Sequence, residues 1–433
     1  MQSRTDIEPY VPVTSETFDV VVAGGGPAGL GAALAASLQG ARTLLLEARS
    51  FFGGVAGIAL WMPMNRLLLN GGGRGGVHDL FVQKIKSFGS LAWCEGKRTF
   101  VDGDGLHIHP DYLRLACMEL LEEQACHYLL YSPVVNVLMD GAAITGVVTA
   151  NKEGPQQFRA HVVIDATGDG DVACLAGAEM VQGREEDGKS MPVSLVFALA
   201  NVDEERLFNL LQDKPRFDAL IDAAVKEGYA MAAWYSFDHT TIPGVVSVNN
   251  GAWRDSGKID GTCSSQLTLA ERMGIQVAVD FVRWARKKHI PGLENCYLMR
   301  AGAAVGVRDT RRMVGEYVVT LEDAEKGAEF PDVVARKYGA VDANQLYVGA
   351  MKSGFAFPYR SLLPKTVERL LVAGRCSSAT LMGHAAGKSM GNMMELGQAA
   401  GVAAALCAAQ GISPRRLDVS QLQSTLRQMG VHL

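Results

Sequence analysis

Gly24-x-Gly26-x-x-Gly29 followed by Glu47 is the constellation in this chain with the most definite chemistry. The first glycine allows a tight turn, the second lets backbone approach a diphosphate, and the third lets a helix pack against a sheet. A helix that starts at such a turn aims unpaired N–H groups and the positive end of its dipole at the phosphates. Glu47 stands 18 residues after Gly29, where a carboxylate can accept hydrogen bonds from an adenosine ribose. The elements that must position these groups are legible. Residues 18–23 are a short β-branched run and read as a buried parallel strand. Residues 28–39 are rich in Ala and Leu and read as a helix. Residues 41–46 form a second strand that ends at the acid. A plain βα turn would not need that acid. The segment therefore predicts a dinucleotide site made by Gly24, Gly26, Pro27, Ala28 and Gly29, with Glu47, Ala48 and Arg49 at the end of the second strand.

The bulk properties narrow the class. The chain has 433 residues, a net charge of −5, 48% hydrophobic and 20% charged residues, enough for two interleaved globular domains. Its basic residues form no continuous run, which argues against nucleic acid or an anionic membrane surface as main partner. The eight cysteines make no C-x-x-C pair and no zinc spacing with histidine, so no metal site is expected. There is no run of 18 apolar residues and no secretory signal at the start, which reads as a reduced, cytoplasmic protein.

Further along, helices are expected over 77–88 and 110–125, the latter capped by Asp111. A β-meander follows, with strands near 128–138, 142–150 and 157–165 and turns at Asp140-Gly141 and Glu153-Gly154. The texture then changes. Charged helical stretches at 203–228 and 265–289 alternate with irregular aromatic segments, and the first texture returns with the strand 370–373 and a helix from about 393 to 410. The expected fold class is α/β: a Rossmann-like FAD-binding domain (18–177 and 358–433) with an inserted α+β substrate-binding domain (178–357), after an N-terminal arm (1–17).

The choice of FAD rests on several short segments. Gly53-Gly54 lies just past Glu47, which is unusual for an NAD domain. Ala166, Thr167 and Gly168 close one strand, and Gly374-Arg375 closes another, so small residues leave room for a long cofactor at the carboxyl edge of the sheet. Val134 is counted among the contacts. This order resembles the two-dinucleotide-binding-domain, glutathione-reductase-like flavoproteins. More narrowly, residues 164–172 (IDATGDGDV), 308–323 (RDTRRMVGEYVVTLED), 357–364 (FPYRSLLP), 370–379 (LLVAGRCSSA) and 396–404 (LGQAAGVAA) resemble the bacterial FAD-dependent oxidoreductase family. The resemblance runs from about 18 to 430. It implies noncovalent FAD, with Gly374 and Arg375 along the pyrophosphate or ribityl chain. It also implies that the backbone of Asn392, Met393 and Met394 starts a helix aimed at the isoalloxazine. Gly71-x-Gly73-x-x-Gly76 matches the glycine pattern formally but lacks a clean βαβ setting, and reads as a flexible loop over the flavin.

The chemistry left open is hydride transfer between a small organic molecule and flavin N5 by a dehydrogenase or oxidase, with oxygen or another carrier as electron acceptor. The alternatives are a flavin monooxygenase using NAD(P)H and oxygen, or a flavin-binding electron-relay subunit of a complex. His384 is the candidate base, in a loop expected to face the isoalloxazine. Arg308 and Arg311 are candidates for holding an anionic substrate, against structural pairing of this basic group, which includes Arg312, with Glu316, Glu322 or Asp323. Tyr359 and Arg360 could line the cavity, as could Trp234, Tyr235 and His239. Cys376 reads as a small buried residue, and His107 and His109 as structural.

Overall fold

A computed structural model describes residues 16–67, 73–95, 105–251, 253, 258–338 and 354–433. All but two residues of the expected N-terminal arm lie outside the described residues, as do Gly71 and Gly72. The chain order opens as expected. Strand β1 (Thr17–Ala23), helix α1 (Pro27–Leu38) and strand β2 (Thr43–Leu46) form the first βαβ arm. A single turn, α2 (Val55–Ile58), follows the Gly53-Gly54 pair, and helices α3 (Gly76–Ser87) and α4 (Pro110–Glu123) come next. Strands β3 (His127–Leu129), β4 (Val134–Asp140), β5 (Ala143–Asn151) and β6 (Gly154–Asp165) complete the first half. The cap of α4 is His109, whose Nδ1 accepts from Asp111 N at 3.3 Å, so Asp111 sits in the first turn and is not the cap itself.

The main sheet has seven strands, in the order β3-β2-β1-β6-β5-β4, with β14 (Leu370–Val372) also on β6. β6 is long enough to serve two partners on the side away from β1. Its first part pairs antiparallel with β5, and its end, Val163–Asp165, pairs parallel with β14. The parallel stretches 20–23, 44–46, 162–164 and 370–372 are apolar and buried, as cover on both faces demands. Because β1, β6 and β14 end side by side, their following turns at Gly24, Ala166 and Gly374 meet at one edge.

A second sheet is antiparallel, with strands β7 (Phe197–Ala200), β8 (Tyr235–His239), β9 (Val246–Asn250) and β10 (Tyr297–Ala301) in the order β8-β9-β7-β10. Helices α5 (Glu204–Gln212), α6 (Lys214–Lys226) and α7 (Ser264–Lys287) belong with it, and it has its own apolar core around Phe197, Phe237, Phe281 and Trp284. The fold is α/β, with a Rossmann-like sheet and this antiparallel layer beside it. The two are joined through residues 55–61. Gly302 N approaches Val196 O, Ala303 N donates to Ile58 O, and Ser247 Oγ donates to Leu60 O.

The chain closes with β11 (Arg311–Met313), β12 (Val333–Lys337), β13 (Phe355–Pro358), β14, the single turn α8 (Leu381–Ala385), the long helix α9 (Met390–Gln410) and α10 (Val419–Gln428). α9 begins three residues earlier than the sequence pattern suggested, so Asn392 and Met393 fall in its first turn. It is buried almost all round and crosses α1 with backbones in contact. A Cβ on Gly397 would lie 1.9 Å from Ala28 O, and one on Gly401 would lie 2.1 Å from Ala32 O. Small residues at this crossing let the two helices lock together, which sets the first turn of α9 relative to that of α1.

Candidate functional site

The first turn of the groove is built around Gly24. Its φ of +98° suits glycine, and a Cβ there would lie 2.4 Å from Ala166 O. The tight packing of the β1 and β6 ends leaves the N-terminus of α1 uncovered. No side chain caps it, Pro27 occupies its first position, and the nearest atom to a Cβ on Gly26 would be Gly54 Cα at 3.8 Å. Ala28 and Gly29 supply the next backbone groups, and Gly53 and Gly54 stand across from them.

Glu47 is held for a purpose at this edge. Its Oε2 accepts from Gly25 N at 2.7 Å and its Oε1 from Arg49 N at 2.8 Å. Each oxygen keeps a second lone pair able to accept a further hydrogen bond. Ala48 follows it, and Ser132 N donates to Glu47 O, which ties the edge to the start of β4 at Val134.

The turns after β6 and β14 are stapled to one another. Asp165 is fully buried and accepts from Thr167 N, Thr167 Oγ1 and Ala173 N, and burial raises its pKa to about 6. Asp169, one residue past Gly168, pairs with Arg375 and accepts from Thr310 Oγ1 at 2.7 Å. Arg375 therefore lies against Gly168, and Gly374 against Ala28. Cys376 is buried with its thiol pKa pushed well up by burial, the small core residue expected.

Arg311 is drawn into the same staple. It pairs with Asp171 and donates to Asp169 O at 2.9 Å. Arg312 pairs with Asp309 in the interior and donates to Ala379 O and Gly183 O. The basic group is thus paired, but not with Glu316, Glu322 or Asp323; Asp323 instead completes a capping box with Thr320. Arg311 is a loop staple in this structure and does not reach toward the second sheet.

Arg308 takes a different direction. Its Nη1 donates to Pro192 O and Ser194 Oγ, both at 2.9 Å, and its Nη2 to Asn250 O at 3.3 Å. All three acceptors belong to the antiparallel layer or its approach. Trp234 lies on this side too, packed where a Cβ on Gly251 would be. His384 joins Arg308 directly, because its Nε2 lies 3.2 Å from Arg308 O. A carbonyl oxygen only accepts, so Nε2 carries the proton and Nδ1 keeps a bare lone pair. Nδ1 is buried without a partner. Burial, then Lys388, Lys337 and Arg312, hold the imidazole pKa well below the usual histidine value, so the ring is neutral. His384 sits in α8, one helical turn, and not in the open loop expected.

The other candidates separate from this pair. Tyr359 is buried in the main core and donates to Pro414 O at 3.0 Å, so its hydroxyl is committed far from Arg308 and the expectation of a catalytic role is set aside. Arg360 pairs with Asp332 at the surface. Tyr235 lies among Phe217, Phe237 and Phe281, and His239 pairs with Glu204 and stacks on Phe208, so both serve the second core. His107 and His109 pack at Trp61, as structural residues.

The second glycine pattern is occupied by protein. Gly76 N donates to Met429 O, Val77 N to Gln398 Oε1, and Arg74 N and Gly75 N to Asp79. These four backbone donors are therefore not available to a phosphate. The described part of this loop is also fixed, contrary to the flexible loop expected. Arg74 is buried, pairs with Glu395 of α9, and donates to Asn392 Oδ1 and to the carbonyls of Arg66 and Arg336. Asn392 Nδ2 donates to Tyr338 O and Gly387 O. The side chain of Asn392 thus serves the protein, and Met393 N donates to Ser389 O within the first turn of α9.

Sequence reading missed Lys337. It ends β12, is 1% exposed, and its Nζ has no hydrogen-bond partner. The amine lies 3.6 Å from the ring centre of Phe357, and its chain fills the place a Cβ on Gly387 would take. An aromatic face gives a desolvated ammonium about 2 kcal/mol. Burying an ion without a counter-charge costs several kcal/mol. The second effect wins, and burial pushes the amine pKa well below the ordinary lysine value.

These features fit an extended dinucleotide with a polar ring system. The uncapped α1 terminus, faced only by Gly53-Gly54, suits the diphosphate. Buried polar atoms without partners, Ser377 Oγ, His384 Nδ1, Ser389 Oγ and Lys337 Nζ, gather between Gly374 and the start of α9 or against it. Leaving such groups unpaired costs about 1–3 kcal/mol each, and a ribityl chain and a flavin offer partners to them.

A model of the family described as FAD dependent oxidoreductase matches residues 19–426. The chain belongs to this family. It is an FAD-dependent oxidoreductase, and its cofactor is FAD. The tRNA uridine 5-carboxymethylaminomethyl modification enzyme MnmG of Alkaliphilus metalliredigens is 31% identical over 165 residues, which are 35% of this chain and 24% of that protein. The chain thus spans about a quarter of the length of this curated relative. Among solved structures, the geranylgeranyl bacteriochlorophyll reductase-like protein of Thermoplasma acidophilum has a TM-score of 0.51 at 16% identity, over 96% of this chain and 84% of its own. A flavin-dependent brominase has a TM-score of 0.51 at 12% identity, over 95% and 83%. The p-nitrophenol 4-monooxygenase of Pseudomonas putida has 0.50 at 13%, over 92% and 82%. At these identities the likeness is one of fold. Among the described residues no helix is long and apolar enough to cross a membrane, and no cluster of ligating residues could hold a metal.

Proposed function

We propose that this protein is a dehydrogenase or oxidase that exchanges a hydride with a small organic substrate bound between the start of α9 and the antiparallel layer. Residues 178–357 act as the substrate-binding unit in this reading. FAD supplies the two-electron acceptor, its N5 atom. Gly24, Gly26, Pro27, Ala28 and Gly29 would hold the diphosphate with Gly53 and Gly54. Glu47 would take the ribose, beside Ala48, Arg49 and Val134. Ala166, Thr167, Gly168, Gly374 and Arg375 would flank the middle of the cofactor, and the backbone of Asn392, Met393 and Met394 its ring.

The observation that carries the reading is the contact of His384 Nε2 with Arg308 O. It sets a neutral imidazole, with a bare Nδ1, beside a guanidinium fixed by Ser194 and Asn250. Arg308 supplies a rigid positive wall for an anionic or polar substrate end. His384 Nδ1 accepts a hydrogen bond from a substrate O–H or N–H, and takes its proton as negative charge gathers beside it. Burial keeps water from this lone pair.

Anaerobic screening of metabolites for bleaching of the bound flavin tests the reading. His384→Ala is expected to retain FAD while flavin reduction slows by about 100-fold, the usual size of a general-base contribution. Unchanged reduction kinetics would take His384 out of the mechanism. The brominase and monooxygenase of the same fold support a second reading, a flavin monooxygenase. Substrate-dependent consumption of NAD(P)H together with oxygen would select it.

A further inference from the structure

Lys337 is the buried titratable group that the proposed reaction does not use. It stands at the end of β12 with Phe355 and Phe357 of β13 beneath its amine, at 5.8 and 3.6 Å from the ring centres. Gly387 is cut back to admit it: a Cβ there would lie 1.8 Å from Lys337 Cδ and 2.8 Å from Nζ. The next residue in its own chain, Tyr338, is bonded through N and O to Asn392 in the first turn of α9. Arg336, on the other side, is bonded through N to Glu395 and through O to Arg74. The backbone on either side of Lys337 is therefore spoken for, while Nζ has no partner. An amine kept dry, unpaired and clamped at the start of this helix is costly unless a partner arrives there.

We propose that Lys337 takes up one proton when the bound flavin is reduced, and so neutralises the negative charge that two electrons bring to the start of α9. The inference rests on the reading that FAD occupies this groove. The balance is simple. Two electrons and one proton enter the flavin, and Lys337 goes from amine to ammonium by taking a second proton from solvent. In turnover the electrons come from substrate; in the test they come from dithionite. His384 of α8 faces Lys337, and Lys388 and Arg312 act on the same imidazole; Arg336 and Tyr338 flank Lys337 in its own chain, and Glu395 of α9 accepts from Arg336 N. His384 is neutral and the others near the amine are cationic or already paired, so little but added negative charge can draw a proton to Nζ. Burial disfavours the ammonium form beforehand.

The test uses the FAD-loaded full chain. The flavin midpoint potential is measured at several pH values above neutral, by dithionite titration with mediators. A two-electron couple that takes one proton shifts by about 30 mV per pH unit, and one that takes two shifts by about 59 mV. The wild-type protein is expected to follow the steeper slope and Lys337→Met the shallower one. An indicator dye in weakly buffered solution gives the same answer on wild-type protein alone, as two protons taken up per two electrons once the protons that dithionite releases on its own oxidation are subtracted. A wild-type slope of about 30 mV, or one proton per two electrons, overturns the proposal even if the variant does not fold. A steep slope that survives in Lys337→Met also overturns it, because another group then takes the proton. Protein that binds no FAD would instead defeat the reading of the groove itself, so the two failures are distinct.

Discussion

At the end of the groove proposed for the diphosphate, the protein satisfies itself. Glu47 accepts from Gly25 N and Arg49 N, Asp165 accepts three hydrogen bonds, and Asp169 and Arg375 pair across the turns. At the end proposed for the flavin the reverse holds: Ser377, His384, Ser389 and Lys337 each keep a buried polar atom without a partner. Behind those atoms lies the ion-paired knot of Arg74, Glu395 and Asn392. The contrast separates two tasks. A diphosphate is recognised by backbone that must hold one shape, which internal hydrogen bonds secure. A reacting ring system needs polar atoms whose partners change with redox state, so these must be held rigidly from behind and left unpaired in front.

The strongest way to break this comparison is to remove the backing. Arg74→Met would leave Glu395 buried and uncompensated, and is expected to destabilise the fold by about 3–5 kcal/mol in urea unfolding. Arg74→Met combined with Glu395→Met should recover most of that loss, since neither charge is then stranded. A single variant as stable as wild type would show that the knot does not hold the start of α9.

At the other end, Glu47→Leu is expected to weaken FAD binding by roughly 10- to 100-fold, the equivalent of about 1.5–3 kcal/mol for hydrogen bonds to a charged group. Flavin fluorescence titration measures it. An unchanged Kd would place the ribose elsewhere.

The smallest effect is a slope in pH. His78 is buried under α9 with Nε2 on Gly391 O at 2.7 Å, and burial, then Arg74, lower its pKa from 6.5 to about 3. A depressed histidine contributes stability that is full above its unfolded pKa and lost as pH falls toward the folded one. Between 6.5 and about 3 this loss approaches about 1.4 kcal/mol per pH unit. Asp165 opposes it, because its raised pKa of about 6 gives stability that is lost as pH rises from 3.8. His78→Gln should remove about 1.4 kcal/mol per pH unit from the acid side of the stability profile. A profile identical to wild type would mean that His78 titrates normally.

The sequence by itself determined the first βαβ arm, the glycine turn, the terminal acid and the family. These depend on neighbours in the chain: alternation, β-branched runs, and glycines at fixed offsets report local geometry directly. It also placed His384 and Arg308 among the candidates, but not beside each other. Only the tertiary structure separated Arg311, drawn to Asp171, from Arg308, drawn to Ser194 and Asn250, although the two lie three residues apart. Only the tertiary structure removed Tyr359 into the core and showed Lys337 against Gly387, fifty residues away in the chain. The reason is physical. Which partner a long charged side chain finds, and whether it is left dry without one, is decided by packing between distant segments, and no local pattern records that.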